Sequence, residues 1–440
     1  MLDFLKNLLS SNSIPTKPPN ITFGRYTDMY KDKSKYKEWD NAVECFFKEN
    51  HFQAFVHLIN YLNEDARNNA RITQHTNDKI HFEIAHGSKQ ISGHMNKDVL
   101  HAEARLATGK ISLGAMRTLL EENYELKHTR YALEGDDVLT LVFQSDIQDA
   151  SPYKIYNGLK ELALRADHQD DILLYHFSEL KIINYSTITP LREEEKAIKY
   201  EYFNQRRSRL IDDLQNLRLD PDQYPGAISY LILAFAFKVD YLVKPEGRLL
   251  EHLEHIHTIY YHKSNLSAQQ KNKEMIDEVR RMEKIDAPCL YKELYQTVHT
   301  FGITQASSLN KFIEFANTEM QSIDWYINNG HPEIAQALCD FIVGHITYNH
   351  AMPEPIQRCL HLYYEVTESV FFTSLGFAPF TNKMGLPQKS KLEEQLKMLK
   401  NDFADSFDYD EADWKSVKAD SILSFSLTWL RFIMQCKITG

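Results

Sequence analysis

Along this chain of 440 residues, the apolar residues alternate with polar ones in one region and recur at helical spacing elsewhere, and this pattern limits what the chain can fold into. Between Ile80 and Phe143, apolar and polar residues alternate, which is typical of strands with one buried face. From Leu191 onwards, apolar residues recur every three or four positions, as they do on one face of a helix. The sequence therefore predicts an α+β domain, an antiparallel sheet flanked by helices, followed by an all-α domain.

In the first domain we expect about five strands, mostly antiparallel, with a short helix between the third and the fourth. Helical spacing from Tyr36 to Leu62 predicts one long or two short helices, with an interruption near Asn50. Ser151-Pro152 is typical of the start of a helix. The predicted strands lie around Ile80–Ile84, Gln90–Met95, Val99–Ala107, Tyr124–Leu133 and Val138–Phe143, and the short helix has Leu113, Met116, Leu119 and Leu120 as its apolar face.

The sequence divides into three parts. Residues 1–22 are predicted to form a helical turn and a flexible link that is rich in Pro, Ser and Asn. Residues 23–185 form the α+β domain, and residues 190–440 form a helical domain of about ten helices. The boundary falls at Tyr185–Pro190, a short β-branched stretch that ends in proline.

The composition favours a cytoplasmic protein that does not bind nucleic acid. The net charge of -11 repels a phosphate backbone. The five cysteines stand singly, without a CxxC pair, which is typical of reduced thiols. No secretion signal is recognisable at the start of the sequence. The apolar runs Ala227–Val243 and Ile422–Met434 contain charges and are shorter than the roughly 20 residues that span a bilayer, so we expect no membrane insertion.

Four short stretches of the first domain stand in an order that is found in one known family. They are Phe23–Tyr26, Gly93, Ala102–Leu106 and Leu119–Tyr124. Through them, about residues 23–182 resemble the bacterial YbjN-like family, whose fold is shared with the dimeric chaperones of type III secretion. The resemblance implies a non-enzymatic domain that recognises proteins and often pairs with itself. It does not extend to the helical half.

Sequence motifs of catalysis and cofactor binding are missing. With 15 glycines, the chain has neither a GxGxxG nor a GxxxxGK[ST] loop for phosphate groups. It has no GxSxG elbow, no HExxH helix and no kinase-type motif set. We therefore assign no catalytic residue and no cofactor.

Two groups of residues in the helical half are candidates for metal ligands. His252 and His255 share a helix face. His361 and Glu365 lie one turn apart, and His345 and His350 lie on a preceding helix. Neither group is matched by a second ligand pair, so we favour ordinary surface and packing roles for them. Five histidines of the first domain fall on or beside the predicted strands: His75, His81, His86, His94 and His101. If several of them cluster, they form a pH-sensitive surface; otherwise they are separate solvent-facing residues.

From these observations we predict a non-catalytic protein-binding protein, chaperone-like or an adaptor. Its partner is a protein, and a homodimer through the first domain fits the resemblance. Two alternatives stay open. One is a metal-dependent enzyme built on the helical domain around His252, His255, His345, His361 and Glu365. The other is an acidic immunity or antitoxin protein that neutralises a basic partner. An exposed apolar patch would favour the first prediction.

Overall fold

The computed structural model describes residues 19–439, apart from 136, 177–179, 184–187 and 217–218. The chain forms two compact units. The sheet unit contains Tyr26–Pro190 and Tyr295–Ile303, and the helical unit contains the remaining described residues. Most of the predicted helical turn and flexible link at 1–22 lies outside the described residues.

The sheet unit is built on six antiparallel strands with flanking helices, so the predicted α+β domain is confirmed. The spatial order of the strands is β1-β2-β3-β4-β6-β5, and a short strand β7 (Lys181–Ile182) pairs with the end of β4. The helices are α1 (Lys33–Phe47), α2 (His51–Leu62), α3 (Leu113–Glu125) and α4 (Pro152–His176), and the strands are β1 (Ala70–His75), β2 (Lys79–His86), β3 (Lys89–Asn96), β4 (Val99–Thr108), β5 (Thr129–Glu134) and β6 (Val138–Asp146).

One face of the sheet is buried, because the strands alternate as the sequence predicts. Ile80, Phe82 and Ile84 of β2 are buried beneath α4 and α2, whereas the residues between them lie half-buried on the outer face. Gly93 on β3 makes room for Phe82, because a Cβ atom at this position would lie 2.4 Å from the Phe82 ring. The apolar alternation thus places the core of the unit on one side of the sheet.

Two differences from the predicted bounds concern the strands of the sheet. Residues Ala70–His75 form an edge strand that the sequence analysis did not predict. The helix α3 continues to Glu125, so the strand predicted over Tyr124–Leu133 begins only at Thr129. The reason is the carboxylate of Glu161 on α4, which accepts hydrogen bonds from the backbone N–H groups of 127, 128 and 129 at 2.6 to 2.9 Å. This contact fixes the turn between helix and strand.

The segment Tyr295–Ile303 belongs to the sheet unit, although it lies within residues 190–440, for which the sequence predicts an all-helical domain. A helix ends at Lys292, and Phe301 further along the chain is buried in the core of the sheet unit. The hydroxyl of Thr300 donates to the carbonyl of Ala85 at 2.7 Å and accepts from the Asn69 amide at 2.9 Å. The predicted division at 185–190 therefore leaves out one piece of the sheet unit.

The second half is helical, as predicted, with only two-residue strands between its helices. β8 (Thr189–Pro190) pairs with β9 (Tyr295–Gln296) in the sheet unit, and β10 (Gln305–Ala306) with β11 (His350–Ala351) and β12 (Phe407–Asp408) with β13 (Lys437–Ile438) in the helical unit. The helices are α5 (Glu193–Gln215), α6 (Pro225–Val243), α7 (Gly247–Tyr261), α8 (Ala268–Arg281), α9 (Ala287–Lys292), α10 (Leu309–Met320), α11 (Ile323–Asn328), α12 (Pro332–Asn349), α13 (Glu354–Thr367), α14 (Ser369–Ser374), α15 (Lys389–Asp402), α16 (Glu411–Ser416) and α17 (Ile422–Gln435).

Helix α6 is the centre of the helical unit, where it packs closely against α12. Among the described helices it alone is long and apolar enough to cross a membrane, and 83% of that apolar stretch is buried inside the protein. The one basic residue in its middle is Lys238, which lies among other helices. Its ammonium group is 2.6 Å from Asp340 of α12 and 2.8 Å from Glu368 between α13 and α14, and Glu368 also pairs with Arg206 of α5.

We predict that Thr300→Val destabilises the sheet unit by about 1–3 kcal/mol, because the Ala85 carbonyl and the Asn69 amide lose their buried partner. Valine keeps the volume of the side chain, so packing is little changed. Urea unfolding of the full chain, combined with amide hydrogen exchange of β2, measures the loss. Thr258→Val is the control, since this exposed threonine bonds only within α7. Unchanged exchange in β2 would contradict the role given to the segment.

Candidate functional site

The two histidines of the first predicted metal-ligand pair, His252 and His255 on α7, both contact the same carboxylate. Glu278 of α8 is buried and lies 2.5 Å from Nδ1 of His252, 2.6 Å from Arg281 and 3.3 Å from Nδ1 of His255. Burial would raise the pKa of Glu278, but the hydrogen bonds from the two histidines outweigh it and lower the pKa to about 2. The cluster joins α7 to α8, and its carboxylate is already saturated with donors.

The second pair, His361 and Glu365 on α13, lies in a cavity of about 550 Å³. Burial lowers the pKa of His361 to about 4 and raises the pKa of Glu365 to about 7. The hydroxyl of Tyr241 lies 3.0 Å from Nδ1 of His361, and burial raises the pKa of Tyr241, so the hydroxyl keeps its proton. Nε2 of the neutral His361 ring lies 3.9 Å from Glu365.

The structure does not bring the two predicted pairs together among the described residues. The histidines of α7 contact α8, whereas His361 contacts Tyr241 of α6. A third histidine that the sequence grouped with them, His345 of α12, stacks on Phe315 at 4.3 Å and bonds to Tyr261 instead. The helical unit therefore separates these histidines into three local contacts.

A second cavity, of about 460 Å³, lies beside the charge network of Lys238. Arg206, Lys238, Asp340 and Glu368 all line it, but each of these charges already has an opposite charge within 2.8 Å. A ligand in this cavity would meet paired charges. In this respect it differs from the cavity at Glu365.

One group of three metal-type donors does converge in the described part of the chain, and it lies in the sheet unit. Single donor atoms of His86, Asp167 and His299 lie within 4.8 Å of one another. Of these three residues, only His86 was a candidate from the sequence, because the other two are far from it along the chain. Gly87, with a φ of 57°, allows the close approach of Asp167, whose carboxyl would be 2.0 Å from a Cβ atom there.

The hydrogen bonds of His86 disfavour a metal ion in this group. Its Nδ1 atom accepts from the backbone N–H groups of Thr300 and Phe301 at 3.3 and 3.4 Å. Burial lowers the pKa of His86 to about 4, so the ring is neutral and its proton sits on Nε2. Neither nitrogen then offers a free lone pair. We interpret the group as a buried polar cluster that fastens the segment Tyr295–Ile303 to β2 and α4.

Three histidines form a row across the outer face of the sheet. His81 of β2 stands opposite His94 of β3, and His94 stands opposite His101 of β4, with ring centres 5.9 and 5.5 Å apart. The pKa of His94 is lowered, first by burial and then by its charged neighbours, which include Lys79 and both other histidines. His86 is buried on the other face and His75 lies near the end of β1, so three of the five predicted histidines cluster.

Helix α3 exposes a row of apolar side chains. Ser112 caps its start by accepting from the N–H of Ala115, and the buried face of the helix carries Ala115 and Leu119. Of the four residues predicted to form one apolar face, only Leu119 is buried. The others are exposed and form with Tyr124 a stripe at positions i, i+3, i+7 and i+11, which we call the α3 stripe: Leu113 (79% exposed), Met116 (37%), Leu120 (68%) and Tyr124 (89%).

Comparison of this sequence with models of known protein families gives no match, and comparison with curated proteins gives none either. The resemblance to the YbjN-like family therefore stays a prediction.

We predict that replacing His81 and His101 with asparagine raises the pKa of His94 towards its ordinary value of 6.5, because two neighbouring positive charges are removed. The pKa stays below 6.5, since burial and Lys79 still act. The measurement is a titration of the His94 ring by NMR. His128→Asn is the control, because its ring packs on Phe143 and not on His94. An unchanged His94 titration would show that the row is electrostatically uncoupled.

Proposed function

We propose that this chain is a non-catalytic protein-binding protein, and that the sheet unit binds its partner through the α3 stripe. The observation that carries the proposal is the exposure of four apolar side chains on one line of a capped helix. Apolar residues scattered over a surface are normal, but a continuous row of them is typical of an interaction surface. Helices present such rows to partners at i, i+3 and i+7 spacing.

The partner best supported is a second copy of the chain. If two α3 helices pair in opposite directions about position 118 or 119, the stripe covers itself, with Leu113 facing Tyr124 of the partner and Met116 facing its Leu120. Arg117 and Glu121 are exposed together on one flank of the stripe. In the antiparallel pair each Arg117 then faces Glu121 of the other copy, so two attractive contacts accompany the apolar ones.

The size of the stripe limits the affinity of this dimer. Full burial of one large apolar side chain contributes about 1.5–3 kcal/mol, and each copy supplies four. Association itself costs about 4–15 kcal/mol in lost freedom of motion. Because these two contributions largely offset each other, we expect a reversible dimer rather than a permanent one.

The two alternatives have less support. A shared metal centre needs donors that converge, and the described histidines of the helical unit lie in separate contacts with other residues. An immunity or antitoxin role depends on the net charge of -11, which does not single out any surface of the protein. Binding through the α3 stripe needs neither.

We predict that Leu120→Asp makes the full chain monomeric, because it would bury two like charges in the dimer contact. The single change Arg117→Glu, which places acidic groups opposite Glu121, weakens the dimer about tenfold. Combining Arg117→Glu with Glu121→Arg restores it, since the charges have only changed places. Sedimentation equilibrium over a range of protein concentrations measures all three.

Met384→Asp is the matched control, because Met384 is 82% exposed and lies in the helical unit. It should leave the dissociation constant unchanged. A wild-type chain that remains monomeric at about 100 µM would exclude self-pairing, and a dimer that survives Leu120→Asp would place the contact elsewhere.

A further inference from the structure

The cavity at Glu365 has apolar walls and a single buried acidic group. It lies between α13, the loop that follows α14, and α15. Leu362 and Leu399 are buried in its wall, and Phe377 and Phe380 line it as half-buried rings. A volume of about 550 Å³ is in the range of small-molecule sites, which combine such walls with a few polar groups.

The carboxyl of Glu365 has spare hydrogen-bonding capacity. Its side chain is 13% exposed. Among the described residues, the only ionisable group near this carboxyl at ion-pair distance is the His361 ring, and its Nε2 atom is 3.9 Å away, which is too long for a hydrogen bond. Burial raises the pKa of Glu365, and no neighbouring charge or hydrogen-bond donor contributes to this shift. A buried carboxyl of this kind is costly unless another group supplies a positive charge or a proton donor.

The other charges of the cavity do not supply that partner. Arg358 lies in the wall, but its guanidinium pairs with Glu354 and with Asp402, both at 2.8 Å. His361 is neutral over the physiological range, because burial lowers its pKa to about 4. The uncompensated charge inside the cavity is therefore negative once Glu365 ionises.

We propose that this cavity binds a small organic amine, with the ammonium group held by Glu365 and the apolar body packed against Phe377, Phe380 and Leu362. An ammonium group donates several hydrogen bonds, which matches a carboxylate that has free acceptor positions. The faces of nearby aromatic rings also attract cations. The site lies in the helical unit and does not depend on pairing through α3.

The test uses phenethylamine and its neutral counterpart 2-phenylethanol as probes, with binding to the full chain measured by calorimetry at about pH 8. At this pH both Glu365 and the amine are charged. We expect the amine to bind at least about tenfold more tightly than the alcohol, because a charged hydrogen bond is worth about a factor of ten or more. The variant Glu365→Gln keeps the shape of the site and should lose that preference. Glu314→Gln, an exposed change on α10, should keep it.

A second measurement needs no variant and so does not depend on how Glu365→Gln folds. Because burial raises the pKa of Glu365 to about 7, binding of the amine to its ionised form releases protons, and it releases more of them at pH 6 than at pH 8. Calorimetry in two buffers of different ionisation enthalpy detects this release. Equal binding of amine and alcohol, no binding of the amine up to about 10 mM, or binding without proton release would each overturn the proposal.

Discussion

The buried charge of Lys238 determines which helices must pack together at the centre of the helical unit. This lysine lies in the middle of the most apolar helix of the chain, with 11% of its side chain exposed. Burial alone would lower its pKa, but Asp340 and Glu368 outweigh burial and raise it. A buried charge left without partners costs about 3–5 kcal/mol, so α6 can occupy the centre only if α12 and the α13–α14 junction bring their carboxylates to it.

Those parts of the fold that follow from local periodicity were predictable from the sequence. The alternation at Ile80, Phe82 and Ile84 located β2, and helical spacing located α6 and α12. Where distant residues decide the backbone, the prediction differed. The N–H groups at 127–129 bond to Glu161, and Thr300 bonds to Ala85 and Asn69, so the bounds of α3 and the place of the segment Tyr295–Ile303 depend on contacts across long stretches of chain.

The candidate sites divide in the same way. His361 and Glu365 were recognisable as a pair because they lie one helical turn apart, but the apolar walls around them come from Phe377 and Leu399, which no local pattern connects. The α3 residues were predicted to form one apolar face. Which of them face the core depends on how α3 packs on the sheet, and only Ala115 and Leu119 do so. The exposure of the α3 stripe, on which the proposed function depends, could be seen only in the three-dimensional structure.

The central claim is that two copies of the chain pair through antiparallel α3 helices, and pulsed electron spin resonance tests the geometry directly. Along the helix axes, the two spin labels at Thr118 would be separated by only roughly 2 Å, whereas two labels at Glu125 would be separated by roughly 20 Å. We therefore predict a clearly shorter distance between the two labels at 118 than between the two at 125. Equal distances, a shorter distance at 125, or no coupling between copies would contradict the account.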